Sequence, residues 1–519
     1  MKKLLFLFFV FTSATIFAQT IFQKTYGTIG VEEGRFIEKT NDGGYLIAGG
    51  TTYFDSTAYD SFVIKVNSLG DTLWTKIISN SNQSEWLTSI KSTSDGGSIC
   101  LILLDTNWPA YGFLVKLDAL GNILWSKKIG PIELVYDLVE TLDGGFAFSY
   151  SMGLHFGIIK TDITGNVLWA SLDSVNSFPN YQKVSLIQTA DSGFAITTTI
   201  NSNYDIYLLK LNPTGNVQWG KLYSTTEKDY SVGLKQTSDL GFIISGTKEN
   251  TPYAKTILIK TNSIGDTLWT RGYFSPPFGG EYTIEGDIIQ NSDGGFSFST
   301  VSTNGLAGNT IFLLRTNSFG NLLWTKRYGG MQDDWPNDIL QTSDNGFLIT
   351  GCTKSFGHAN GLCDIYLIKT DSVGLSGCNT SSVFLSTEYL DLVVSNLSAI
   401  DSVPLVPITA STYTYNIVNG LSTSAVCFSI GIKESKMLDL EYRLYPNPFY
   451  SSTTFEISTS SDLKNSTLEI FDLLGRKLKT IKIQSATTTV HRDNLLPGIY
   501  IFQLQAETQT IGSGKFIVQ

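Results

Sequence analysis

Short apolar runs, many alternating with polar residues, fill the chain from about position 20 to position 374 and are broken repeatedly by Gly, Asp and Asn. That pattern predicts strands joined by tight turns. Three marks recur in fixed order. The first is an Asp followed by Gly or a small residue and usually an aromatic: Asp42, Asp95, Asp143, Asp191, Asp239, Asp293 and Asp344. The second is an apolar strand carrying one basic residue: Lys65, Lys116, Lys160, Lys210, Lys260, Arg315 and Lys369. The third is a Gly-Asp or Gly-Asn turn running into Trp74, Trp125, Trp169, Trp219, Trp269 or Trp324.

Each of the six complete basic-to-Trp pairs is separated by nine positions, the spacing of two strands joined by a tight hairpin. The Asp-Gly element joins two more, because Gly and Asp tolerate the positive φ of such turns. Length varies only elsewhere, from 17 to 25 residues between Asp and basic residue and from 18 to 24 between Trp and the next Asp. Each repeat of about 50 residues therefore has four strands, a to d, with tight a-b and c-d turns on one face and elastic b-c and d-a connections on the other. This all-β pattern predicts a seven-bladed β-propeller over residues 19–374.

The seventh Trp is missing, and Cys378 stands in its place. Ile21 to Gly27, "IFQKTYG", matches a d strand with Phe22 in the Trp position, so the N-terminal strand is expected to complete the last blade and close the ring. The repeated Trp reads as packing between blades, each burial worth about 4–6 kcal/mol before entropy. The repeated basic residue is expected to snorkel or to pair with a nearby Asp such as Asp60, Asp205 or Asp364; the sharper alternative is a charged ring lining the channel.

Net charge of −10 argues against nucleic acid as a partner. The first 18 residues, two lysines then an apolar run ending at Ala18, read as a secretory signal peptide. No cysteine follows it directly, which argues against a lipid anchor, and no transmembrane segment is expected in the mature chain. Export permits disulfides. Of the five cysteines, Cys352 with Cys363 and Cys378 with Cys427 are the favoured pairs among three connectivities, and Cys100 reads as a buried strand residue.

Beyond Gly374 the repeat stops. Residues 375–441 are Ser/Thr-rich and read as an extended connector, partly strand-forming and disulfide-pinned. Residues 442–519 alternate as short strands and predict a β-sandwich. Four motifs stand there in order: Tyr445-Pro446-Asn447-Pro448-Phe449, Phe471 to Arg476 around Gly475, Leu496 to Tyr500 around Gly498, and Gly514 to Val518 with Lys515. Together they closely resemble the type A C-terminal sorting domain of the type IX secretion system. The resemblance implies that the type IX machinery is a partner, that the chain crosses the outer membrane, and that it is released or held at the cell surface.

Candidate chemistry is sparse. Three histidines, and no zinc helix, nucleophile elbow, Walker loop or Cys/His cluster, leave no expected metal, cofactor or catalytic residue. A tight turn accounts for the Asp-Gly residues without bound calcium. The elastic face is where binding is expected, since loops on a rigid scaffold vary while the scaffold does not. Its candidate ligand-binding residues are Trp86, Trp108, Tyr111, Tyr282, Trp335, Asp333 and Asp334. Aromatics among small polar residues stack on sugar rings or anchor proteins. The expected function is a non-enzymatic binding scaffold for glycan or protein. The alternative is a carbohydrate-active enzyme using carboxylates on the same face, from Glu85, Glu281, Glu285, Asp333 and Asp334.

Overall fold

A computed structural model describes residues 20–52, 59–79, 84–104, 110–173, 184–200, 204–249, 254–274, 286–303, 308–357, 362–383, 385–397, 408–412, 416–418, 422–427, 441–458, 466–472, 477–483, 485, 487–506 and 509–519. The chain divides into two compact units, Met1–Ser429 and Ile430–Gln519. Among the described residues every regular element is a strand. The proposed signal peptide lies outside them.

The first unit is a propeller-like set of antiparallel sheets, numbered I to VII by their a strands, which begin at Glu32, Glu85, Leu134, Ser185, Lys228, Ile288 and Asp334; sheets I to VI each hold four strands from one repeat. Sheet I is typical: Glu32–Lys39, Tyr45–Thr51, Asp60–Val66 and Thr72–Ser79 pair in that order. Its two middle strands are buried throughout, which is why they read as continuous apolar runs, while the outer strand alternates. In sheet VII the strands Asp334–Gln341, Phe347–Thr353 and Asp364–Lys369 are followed by Phe22–Gly27, with Phe22 opposite Lys369 and Tyr26 opposite Ile365.

Packing between sheets repeats one device. The Trp of each d strand lies over the c-d turn glycine of the next sheet. A Cβ on Gly121 would sit 2.9 Å from the Trp74 ring, and one on Gly265 2.8 Å from Trp219. These glycines also hold φ near +80°, so both the contact and the backbone require them. Phe22 makes the same contact with Gly70. The Tyr26 hydroxyl donates to the Gly70 carbonyl at 2.6 Å, as Tyr223, Tyr273 and Tyr328 do to Gly265, Gly320 and Gly374. The N-terminal strand thus carries the contacts of a d strand.

Neighbouring a strands are also joined. Asp338 of sheet VII accepts the Ile37 N–H of sheet I at 2.9 Å, and Lys91 of sheet II meets Glu38 of sheet I at 2.6 Å. Asp137 of sheet III accepts from Ser89 of sheet II and from the Leu186 N–H of sheet IV. Ser185 donates to Val232 O of sheet V, Lys235 bonds Asp287 of sheet VI, and Ser292 N–H of sheet VI donates to Gln341 of sheet VII.

The segment read as a connector has more structure than its composition indicates. Thr380–Ser382, Ser386–Glu388 and Val393–Leu397 add a fifth strand to sheets VI, V and IV. Thr409–Thr412, Asn416–Val418 and Ser422–Cys427 do the same for sheets II, I and VII. It is a belt that satisfies the outer backbone edges, and strands of three to six residues leave no period to read in the sequence. Cys352 pairs with Cys363, Cys378 is disulfide-bonded and Cys100 is free and buried. The side chain of Cys427, the expected partner of Cys378, lies outside the described set.

The second unit has a three-stranded sheet, Glu441–Tyr445, Ser452–Ser458 and Thr487–His491. Its four-stranded sheet orders Lys477–Lys482, Ser466–Phe471, Gly498–Ala506 and Gln509–Val518. Phe449, Phe455, Ile470, Phe502 and Phe516 form its core.

Candidate functional site

The seven repeated basic residues are structural, and their partner is not the Asp expected. Each reaches the Asp of its own a-b turn: Lys65 to Asp42, Lys116 to Asp95, Lys160 to Asp143, Lys210 to Asp191, Lys260 to Asp239, Arg315 to Asp293 and Lys369 to Asp344. The Lys stem is buried while the carboxylate is half-exposed, 6% against 60% at Lys65 and Asp42. Burial works to raise the Asp42 pKa, but hydrogen bonds from Lys65, Thr40 and the Gly44 N–H prevail and hold it at about 2. Nine positions of hairpin spacing fix where the Lys sits along strand c but not how far it reaches, so the turn Asp was not legible as its partner. No group of three or more His, Cys, Asp or Glu among the described residues is placed to hold a metal ion.

The a strands carry the candidate site. In sheets I, II, V and VII each has a bulge after its third or fourth residue, and the residues two positions before it correspond: Glu33, Trp86, Tyr230 and Trp335. Trp86 and Trp335 are therefore strand residues, not loop residues as the sequence suggested. They flank Glu33 from either side, because sheets VII, I and II are consecutive. Glu33 bonds Arg35 at 2.8 Å, and the Arg35 guanidinium lies 5.0 Å from the Trp86 ring centre. Tyr59 stacks on Trp86 at 4.3 Å, while Lys354 stands 4.9 Å from the Trp335 ring.

The other predicted residues scatter. Tyr111 is the second residue of a c strand and is capped by Lys128 at 3.6 Å. Asp333 pairs with Lys354 and accepts the Asn309 N–H. Asp334 is fully buried, accepting from the Thr353 and Ser355 hydroxyls and the Gly330 N–H, and burial raises its pKa. It ties the d-a connection to its strand and offers no face to a ligand, a correction to its place among the binding candidates. Glu85 is buried likewise. Trp108, Tyr282, Glu281 and Glu285 lie outside the described residues.

The a strands line a half-open cavity of about 380 Å³, with Glu33 and Arg35 in its wall. Lys91, Asp137, Lys235, Asp287 and Asp338 line it with Tyr136. The sequence marks did not point here, because these residues are not repeated: Ser89, Ser185 and Gly233 occupy the bulge position that Asp137, Asp287 and Asp338 take in other sheets.

In the second unit, Asn447 accepts the Ile517 N–H at 2.8 Å, Gly498 pairs with Val518, and Lys515 is exposed opposite Ile501. Tyr445, Pro446 and Pro448 are exposed at the turn leaving the first strand, and Gly475 lies outside the described residues.

Residues 443–519 match the family of secretion system C-terminal sorting domains. Comparison with curated proteins found no match. Among solved structures, a streptogramin B lyase is similar at 14% identity and TM-score 0.39, covering 67% of this chain and 97% of that one. A protein of unknown function from Dyadobacter fermentans gives 10% and 0.42, covering 68% and 98%. Chaetomium thermophilum Sqt1 gives 9% and 0.42 with the same coverage. At these scores the likenesses say nothing of what this chain binds. The C-terminal segment is a type IX sorting domain, and the protein is secreted or attached to the cell surface.

Proposed function

We propose that the first unit is a seven-bladed propeller closed by Phe22–Gly27, and that it serves outside the cell as a glycan-binding scaffold. The ring reading is supported by the seven consecutive sheets, the a-strand bonds leading from sheet VII back to sheet I, and the d-strand contacts of Phe22 and Tyr26. The observation that carries the binding reading is the pair Trp86 and Trp335 at one register position on either side of Glu33 and Arg35. Flat rings beside hydrogen-bonding charges suit a saccharide, whose C–H face packs on aromatics while its hydroxyls reach polar groups.

Binding without cleavage is the better reading because Glu85 and Asp334 are buried and Asp333 is paired with Lys354. A glycan array probed with the exported protein tests this. We expect selective binding that falls at least 10-fold on Trp86→Ala or Trp335→Ala, without release of product. Binding indifferent to both substitutions, or turnover lost with a single carboxylate, would overturn it.

A further inference from the structure

The cavity is lined by three cations, Arg35, Lys91 and Lys235, and four carboxylates, Glu33, Asp137, Asp287 and Asp338, giving 3 − 4 = −1. Their hydrogen bonds are unevenly spent. Asp137 accepts from the Leu138 and Leu186 N–H groups and from Ser89. Asp338 accepts from the Ile339 and Ile37 N–H groups, and Asp287 from the Ile288 N–H and Lys235. Those three carboxylates are occupied by the scaffold.

The cations are not. Among the described residues Lys91 bonds only Glu38, and Lys235 only Asp287, each at 2.6 Å, so each ammonium keeps two of its three donors. Arg35 spends Nε and Nη2 on one oxygen of Glu33. Glu33 keeps one oxygen free of any described partner. The two lysines both line the cavity. Both side chains remain about one-third exposed.

A free donor surplus with one free acceptor, under a net negative charge, selects among ligands. A carboxylate could use the donors but would meet the excess negative charge. An ammonium would meet two lysines and an arginine. A hydroxyl both accepts and donates and carries no charge, so vicinal hydroxyls satisfy both sets. The volume lies at the small end of the roughly 300–1,000 Å³ of ligand pockets, enough for one or two sugar rings.

We propose that this cavity is an end-on subsite for the uncharged terminal ring or rings of a glycan whose following rings lie against Trp86 and Trp335. Lys91 and Lys235 donate to hydroxyls, Glu33 accepts from one, and Tyr136 and Phe36 supply apolar contact. The inference rests on the glycan-binding reading and adds to it a chain end and neutrality.

Titration calorimetry of the exported protein with cellotetraose, mannotetraose, maltotetraose and tetragalacturonate tests it, repeated with Lys91→Gln, Lys235→Gln and Trp86→Ala. Unfolding midpoints check that each variant folds, with Lys91→Arg standing in if Lys91→Gln does not. We expect at least one neutral tetrasaccharide to bind, at least 10-fold weakening by either Gln variant, and tetragalacturonate to bind at least 10-fold more weakly. Binding lost in Trp86→Ala but unchanged in both Lys variants would overturn the subsite and leave the scaffold reading standing. Preference for tetragalacturonate would overturn neutrality, and no binding of any probe would overturn both readings.

Discussion

Tyr26 is 1% exposed, and its hydroxyl donates to the Gly70 carbonyl of sheet I at 2.6 Å. Its ring belongs to a core cluster drawn from both sheets, with Ile37 and Ile47 on one side and Ile365 and Leu367 on the other. Replacing it with Ala removes a buried aromatic, about 3–5 kcal/mol, and deprives Gly70 O of its donor, about 1 kcal/mol more. The expected loss is about 4–6 kcal/mol. Tyr273 is the internal control: equally buried, it donates to Gly320 O at 2.6 Å, but from a strand continuous with its own sheet. Its ring also meets Phe298 at 5.2 Å, worth about 0.5–1.5 kcal/mol.

If Phe22–Gly27 acts as a full d strand, Tyr26→Ala should cost as much as Tyr273→Ala to within about that aromatic term. Guanidinium unfolding followed by tryptophan fluorescence measures both, since Trp74, Trp269 and Trp324 report sheet-to-sheet contacts. Should either Ala variant fail to fold, the Phe pair, at about 1 kcal/mol each, makes the same comparison. A cost below about 1 kcal/mol for Tyr26→Ala beside a full cost for Tyr273→Ala would refute the reasoning.

Three further outcomes follow from the packing and the charges. Gly265→Ala puts a methyl 2.8 Å from Trp219 at φ +80° and should cost about 2–4 kcal/mol by chemical unfolding. Cys378→Ser should lower stability by about 4 kcal/mol through the long loop it releases, provided Cys427 is its partner, and reduction should cost more, since it also opens Cys352–Cys363. Asp229 has its pKa raised to about 6, first by burial and then by the neighbouring Asp205. Its folded pKa exceeds the unfolded value, so its contribution is full below about pH 4 and is lost as pH rises through 6, about 3 kcal/mol in all. Asp229→Asn should abolish that loss. The turn aspartates work the other way: held near 2, they stabilise above about pH 4 and lose that contribution as pH falls through 2. Melting measured from pH 2 to pH 8 reads both arms.

Strand order and the pairing of Phe22 with the end of the repeat were legible because they rest on spacing, and spacing is imposed by hairpins that tolerate no insertion. The tail was legible because its motifs are local. The belt was not, because its strands answer to a backbone edge and need no particular side chain. The candidate site was half legible. Aromatic residues drew attention to Trp86 and Trp335, and their shared register was written in the spacing as well: Glu33, Trp86 and Trp335 each stand nine positions before the turn Asp of their repeat, but strand a carries no sequence mark of its own to show that it reaches that far. The lysines of the cavity were invisible for the opposite reason: Lys91 and Lys235 break the repeat, at positions where other sheets place Val139, Ile187 and Leu340.

Deuterium exchange of the exported protein, with and without the tetrasaccharide that binds it best, tests the central claim most directly. The account predicts protection confined to Glu32–Lys39, Glu85–Ser92, Leu134–Glu140, Lys228–Gln236 and Asp334–Gln341, the strands that carry Glu33, Trp86, Tyr136, Lys235 and Trp335. Protection confined to the outer d strands or the sorting domain, with these a strands unchanged, would contradict it.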